Sequence, residues 1–167
     1  VPTTGLTLAG VALALVILYA NLRPWWSGNR DAKQLAAFGK GSALGLVSAV
    51  CPGGILGWLH AHSAQAANAG GSKLTTGATG IKAAQPVAHR ALGGLTPPGA
   101  VVVVVIAAAV VYAWRAAGKQ DKKRIAGGAF VTSVACLSAG VVGLLTWVPG
   151  ALNSIGDQVQ NALQGAL

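Results

Sequence analysis

The side chains able to do chemistry are few. There are three histidines (His60, His62, His89), two cysteines (Cys51, Cys136) and three acids (Asp31, Asp121, Asp157), with no Glu. Paired carboxylates for glycoside hydrolysis, acidic clusters for Mg²⁺ or Ca²⁺ and carboxylate-oriented triads all need residues the chain hardly possesses. His60 and His62 on one helix point from different faces, and no thiolate or carboxylate adjoins them to complete a metal set. Cys51 and Cys136 read either as two buried thiols or as a disulfide between matching helices. Phosphate-loop, nucleophile-elbow, zinc-protease and CxxC patterns do not occur. The expectation is a protein that is not an enzyme and carries no metal.

What the chain does possess is apolar length. Of 167 residues 53% are hydrophobic and only 9% charged, far below the quarter usual for soluble domains. Runs long enough to cross a bilayer are read at Gly5 to Leu22, Gly41 to Leu59, Gly99 to Trp114 and Ile125 to Trp147. None carries an ion or proton pathway in the form of a mid-block acid or base. The five Trp support these limits: Trp25, Trp26, Trp58, Trp114 and Trp147 stand at block ends, where an apolar ring with a polar N–H suits the headgroup level. The predicted fold is all-α, of membrane-type helical hairpins, with four long hydrophobic helices in two tandem repeats.

Twelve Lys and Arg against three acids give a net charge of +9. Most of the bases fall in two short segments: Arg23, Arg30, Lys33 and Lys40 between the first two blocks, then Arg115, Lys119, Lys122, Lys123 and Arg124 between the last two. Basic segments can bind nucleic acid, but bases confined to short loops between apolar blocks read first as a topology signal. Both loops then lie on the cytoplasmic face, with both termini non-cytoplasmic. Val1 opens a chain without Met, an arrangement expected after removal of an initiator or a leader.

The second half resembles the first at an offset of about 90 residues. Asp31-x-Lys33-x-Leu35-Ala36 lies over Asp121-x-Lys123-x-Ile125-Ala126, Cys51 over Cys136, Trp58 over Trp147, and Pro2-Thr3-Thr4-Gly5 over Thr96-Pro97-Pro98-Gly99. This divides the chain into a first repeat over 1–70, a Gly- and Thr-rich connector over 71–94 and a second repeat over 95–167.

Block two sets Gly41, Gly45, Ala49, Gly53 and Gly57 at four-residue spacing, and block four sets Gly127, Ala135, Ala139 and Gly143 in the same register, interrupted by Val131. Such small faces let helices approach closely within lipid. Pro52, followed by two glycines, should bend the second helix. In the tail, Leu152, Ile155, Val159, Ala162 and Ala166 share one side and Asp157, Gln158, Gln160, Asn161 and Gln164 the other. This amphipathic face is expected to pack on a neighbouring subunit.

A small, acid-poor, Ala- and Gly-rich chain of hydrophobic helices joined by short basic loops, with an outward N-terminus, resembles the pilins of conjugative type IV secretion systems. The likeness covers about 5–64 and 99–167, with the hairpin present twice. It implies a subunit held in the membrane and then extracted with phospholipid, as a structural ligand, into an extracellular helical tube. Its partners would be copies of itself, anionic phospholipid, the secretion machinery and single-stranded DNA in transit. By position, the headgroup- and lumen-facing residues would be Arg23, Arg30, Lys33, Lys40, Arg115, Lys119, Lys122, Lys123 and Arg124. The alternatives are a multispanning membrane protein acting in place, such as a phage holin or plasmid-spread protein, or an accessory subunit of a membrane complex.

Overall fold

A computed structural model describes residues 6–28, 32–80, 86–87, 92 and 94–166. The described chain is helical: α1 (Leu8–Ser27), α2 (Ala32–Val50), α3 (Gly54–Thr79), α4 (Pro97–Ala116), α5 (Lys119–Ala135), α6 (Ala139–Leu144) and α7 (Val148–Gly165). Two-residue strands β1 (Leu6–Thr7) and β2 (Pro86–Val87) pair antiparallel.

Helices α1 and α4 start in the same way. The Thr7 hydroxyl accepts the Gly10 N–H at 3.1 Å, and the Thr96 hydroxyl accepts the Gly99 N–H at 3.3 Å, each taking one of the donors that a first helical turn leaves unpaired. Pro97 and Pro98 sit in the first turn of α4, where no N–H is needed. Both helices are 20 residues long and apolar enough to cross a membrane, about 30 Å at 1.5 Å per residue. Leu15, Val16 and Tyr19 on α1 and Val101, Val104, Val105 and Tyr112 on α4 are exposed. The β-branched run Val101–Val105 belongs to a helix, as its uncharged setting predicts.

The other two blocks do not form unbroken helices. At Pro52 the chain turns through 104° between α2 and α3, which is the expected bend. Pro52 has no N–H for the Ser48 carbonyl, which instead accepts from Cys51 at 3.3 Å. Gly54 then takes φ of 69°, a left-handed conformation that suits glycine. The fourth block, expected as one helix from Ile125 to Trp147, is broken twice. At Cys136–Ser138 the backbone tightens: Leu137 and Ser138 donate to Val134 and Ala135, and the Ser138 hydroxyl also bonds the Ala135 carbonyl at 2.8 Å, drawing it away from the helical ladder. At Leu145–Trp147 the chain turns again, because Pro149, in the first turn of α7, cannot donate to Leu145. The described helices thus give two candidate spans, or three if α2 and α3 together form one broken span.

At the centre α2 and α5 run side by side with backbones in contact. A Cβ at Gly41 would overlap the Ile125 carbonyl, one at Gly45 the Ala129 carbonyl, and one at Gly128 the Phe38 carbonyl. The contact is reciprocal: Gly41 sits on Ile125 and Gly128 sits on Phe38. The outer helices then cross over. α1 lies antiparallel to α5, with Asn21 against Gly127 and Ala14 in one cluster with Val134. α4 lies antiparallel to α2, with Val110 beside Ala37 and Val103 in the cluster of Val47 and Val50. α1 makes far less contact with α2, and α4 with α5, than with these crossed partners. The described helices do not confirm four long hydrophobic helices in two tandem repeats, and the central contact runs between the two halves. The small faces of α2 and α5 bind each other, and each apolar outer helix packs both on the last long helix of its own half, α1 on α3 and α4 on α7, and on the central helix of the other half.

Candidate functional site

The crossed packing brings both basic segments to one end of the bundle. There the C-terminal turns of α1 and α4 meet the N-terminal turns of α2 and α5, tied by Asn21 against Gly127 and by the cluster of Ala37, Val110 and Ile125. Arg23 is exposed on α1, Lys33 and Lys40 on α2, Arg115 on α4, and Lys119 and Lys123 on α5; Lys122 and Arg124 are half-buried. Arg30 lies outside the described residues. A cleft of about 370 Å³ between α2, α4 and α5 is lined by Lys33, Lys40, Ala113, Ala117, Asp121 and Ile125, so two bases of the first segment face the acid of the second.

The electrostatics of this end are one-sided. Four cations crowd the first turns of α5, where the helix dipole is already positive and acids are the favoured residues. The helix opens on Gly118 with no side-chain cap, and Asp121 is its one acid there. Asp121 lies 3.5 Å from Arg124, a half-exposed pair worth little. Lys122 holds its ammonium 5.2 Å from the centre of the Trp114 ring, within cation–π range. Trp114 also lines an apolar cavity of about 340 Å³, together with Leu44, Val110, Ile125 and Phe130 and the hydroxyl-bearing Ser48, Ser63 and Ser133. The Lys122 ammonium, the Trp114 ring and an apolar chamber are therefore consecutive.

The expected helix-packing residues divide. Gly41 and Gly45 are at the α2–α5 contact, Gly127 meets Asn21, and Ala49 packs on the main apolar cluster. Ala135 is half-buried in the last turn of α5. Ala139 opens α6, cut off from the α5 register by the turn at 136–138. A Cβ added at Gly53 or Gly143 would stand in open space, and one at Gly57 would abut only the preceding turn at Cys51 and Pro52. Four-residue spacing defines a face only while the helix continues, and Pro52 ends α2 before Gly53 and Gly57 can join it.

Two junctions at the other ends of α1 and α4 were not anticipated. The Thr7 N–H and hydroxyl both donate to Asn68 Oδ1, at 2.8 and 3.0 Å, while a Cβ at Gly71 would overlap the Ala9 carbonyl. The Thr96 N–H and hydroxyl both donate to Asn153 Oδ1, at 2.9 and 3.1 Å, while a Cβ at Gly156 would overlap the backbone at Pro98. Thr-x-x-Gly on one helix is thus clamped by Asn-x-x-Gly on another, and each spacing occurs in the sequence at these two places alone. The structure puts Thr96–Gly99 and Thr7–Gly10 in equivalent clamps; the Pro2–Gly5 segment that the sequence sets over Thr96–Gly99 lies outside the described residues. In the tail, Leu152 and Gly156 are buried against α4 of the same chain, while Ile155, Val159 and Leu163 are exposed. Part of the face expected to meet a neighbouring subunit is therefore used internally.

The histidines are engaged elsewhere. His60 Nδ1 lies 2.7 Å from the Ser133 hydroxyl, pinning α3 to α5, and His62 lies over Trp58 with Nδ1 at 3.0 Å from the Trp58 carbonyl. His89 lies outside the described residues. Cys51 and Cys136 are free thiols that end α2 and α5 and adjoin one apolar cluster. Comparison with protein-family models, with curated proteins and with solved structures gave no match.

Proposed function

We propose that the chain is a structural subunit of a membrane assembly, built as two copies of one helical unit, with its basic end on anionic phospholipid headgroups. The observation that carries this reading is the pairing of two exposed, span-length apolar helices with a single basic end. Lipid covers α1 and α4, and acidic headgroups supply the negative charge that the first turns of α5 lack. The chamber behind Trp114 has the size and lining for part of an acyl chain, with Lys122 above it for the phosphate. Copies associate laterally into a membrane-derived, pilin-like filament whose basic end faces phospholipid and any polyanion in transit.

A second reading is a protein that acts in place in the membrane, as a holin does. Its support is that close small-residue contacts, at Gly41, Gly45 and Gly128, are satisfied within one chain. Shearing producing cells separates the two. The filament reading expects the chain in released thin filaments together with phospholipid, and a chain found wholly in the membrane fraction supports action in place. Replacing Arg23, Lys33, Lys122 and Lys123 with Gln should reduce bound anionic phospholipid severely, since each base near such a surface contributes about 1 kcal/mol. Unchanged lipid content would remove the headgroup role.

A further inference from the structure

We infer that the chamber behind Trp114 is a resident site for one acyl tail of an anionic phospholipid, held inside a single chain and built in the second half alone. The chamber lies between α2, α3, α4 and α5. On α5, Lys122, Ala126, Ala129 and Ser133 follow at helical spacing and share one face. The last three line the chamber, and the Lys122 ammonium stands over the Trp114 ring at its rim. From Lys122 to Ser133 the helix rises about 16 Å. The chamber holds about 340 Å³. An engineered apolar cavity of about 150 Å³ takes up benzene, so this one has room for on the order of a dozen carbon atoms, which is one tail and not two. Its three hydroxyls are spent within the protein: Ser48 donates to the Leu44 carbonyl at 2.7 Å, Ser63 to the Leu59 carbonyl at 2.9 Å, and Ser133 bonds His60 Nδ1 at 2.7 Å. With no polar group turned inward to hold water, such a chamber favours hydrocarbon. Asp121 pairs with Arg124, which leaves the Lys122 ammonium for a phosphate.

The first half carries no counterpart. In the register that sets Asp31 over Asp121, Lys122 falls on Ala32 and Phe130 on Lys40; in the register of the clamps, Thr7 over Thr96, Val110 falls on Asn21. The cation at the rim is missing there, and a lysine and an amide replace two of the apolar lining residues. The two halves therefore share a fold and divide in function. This inference rests on the headgroup reading above and adds the number of lipids, the place of the tail and the residues that hold it.

Native mass spectrometry of the full-length chain in mild detergent, loaded with dioleoyl phosphatidylglycerol or dioleoyl phosphatidylcholine, tests it. One phosphatidylglycerol per chain should be retained, and phosphatidylcholine should be lost. Lys122→Gln should weaken retention about fivefold, the worth of one base near an anionic surface. Val111→Trp, at an exposed position that lines the chamber, should expel the lipid with Lys122 intact, and unfolding midpoints close to that of the wild type establish that both variants are folded. Ala32→Lys should add no second lipid. Absence of a retained lipid, retention that ignores Val111→Trp, or a second lipid on Ala32→Lys overturns the inference. Oleate that displaces phosphatidylglycerol at equal concentration overturns the phospholipid assignment. Enrichment of phosphatidylglycerol around the chain in mixed vesicles reads the basic end separately. If that enrichment persists without a retained lipid, only the chamber site falls; if neither is seen, the headgroup reading falls with it.

Discussion

The two Thr–Asn clamps place the same residues in different surroundings. The first is set in a packed region, with Leu6 1% and Ala67 0% exposed. The second is exposed, its hydrogen bonds are slightly longer, and a groove of about 370 Å³ lined by Pro98, Val101, Val102, Val159 and Leu163 opens beside it. Identical chemistry should therefore differ in worth, because an unpaired polar group is costly where water cannot replace its partner. The first clamp fixes α1 on α3; the second holds α4 on α7 more loosely.

The largest expected effect comes from filling the close approaches. Gly71→Leu and Gly156→Leu should each cost about 3 kcal/mol or more by overpacking, seen as a lower unfolding midpoint in detergent micelles. The loss at Gly71 should be the greater, and equal losses would break the contrast. Next in size, Asn68→Ala leaves the Thr7 N–H and hydroxyl without their shared acceptor, for about 2 kcal/mol, whereas Asn153→Ala should cost about 1 kcal/mol or less. The difference between the two variants is the sharper readout.

Smaller effects compare the breaks that follow the second helices. Gly54→Ala, at positive φ with open space around it, should cost about 1 kcal/mol from backbone conformation alone. No glycine among the described residues of the other break, 136–138, stands at positive φ, so Ser138→Ala there should act only through the lost hydroxyl bond. Asp121→Asn should change stability by less than about 0.5 kcal/mol, and a larger loss would show that the acid anchors the basic end.

Much of the helical framework was legible in the sequence, for physical reasons that the residues make plain. Uncharged runs of membrane length gave α1 and α4, and a proline followed by two glycines gave the bend after α2. The gathering of both basic segments at one end followed from their matching places in the chain. The break at Cys136–Ser138 had no such signal, since it rests on a serine hydroxyl bonding a nearby carbonyl. The crossing of α1 onto α5 could not be read from either half alone, because both second helices carry a small-residue face and only packing decides which groove each outer helix takes. The clamps depended on pairing Thr-x-x-Gly with Asn-x-x-Gly across 61 and 57 residues, a relation invisible to helical periodicity.

The crossed packing is tested most directly by disulfide mapping with Asn21→Cys and Gly127→Cys in a chain whose Cys51 and Cys136 are replaced by serine. Asn21 lies against position 127, and mild oxidation should join the two thiols within one chain. Two thiols that remain free and reactive to maleimide after oxidation would contradict the crossing of α1 onto α5 and return the molecule to two separate hairpins.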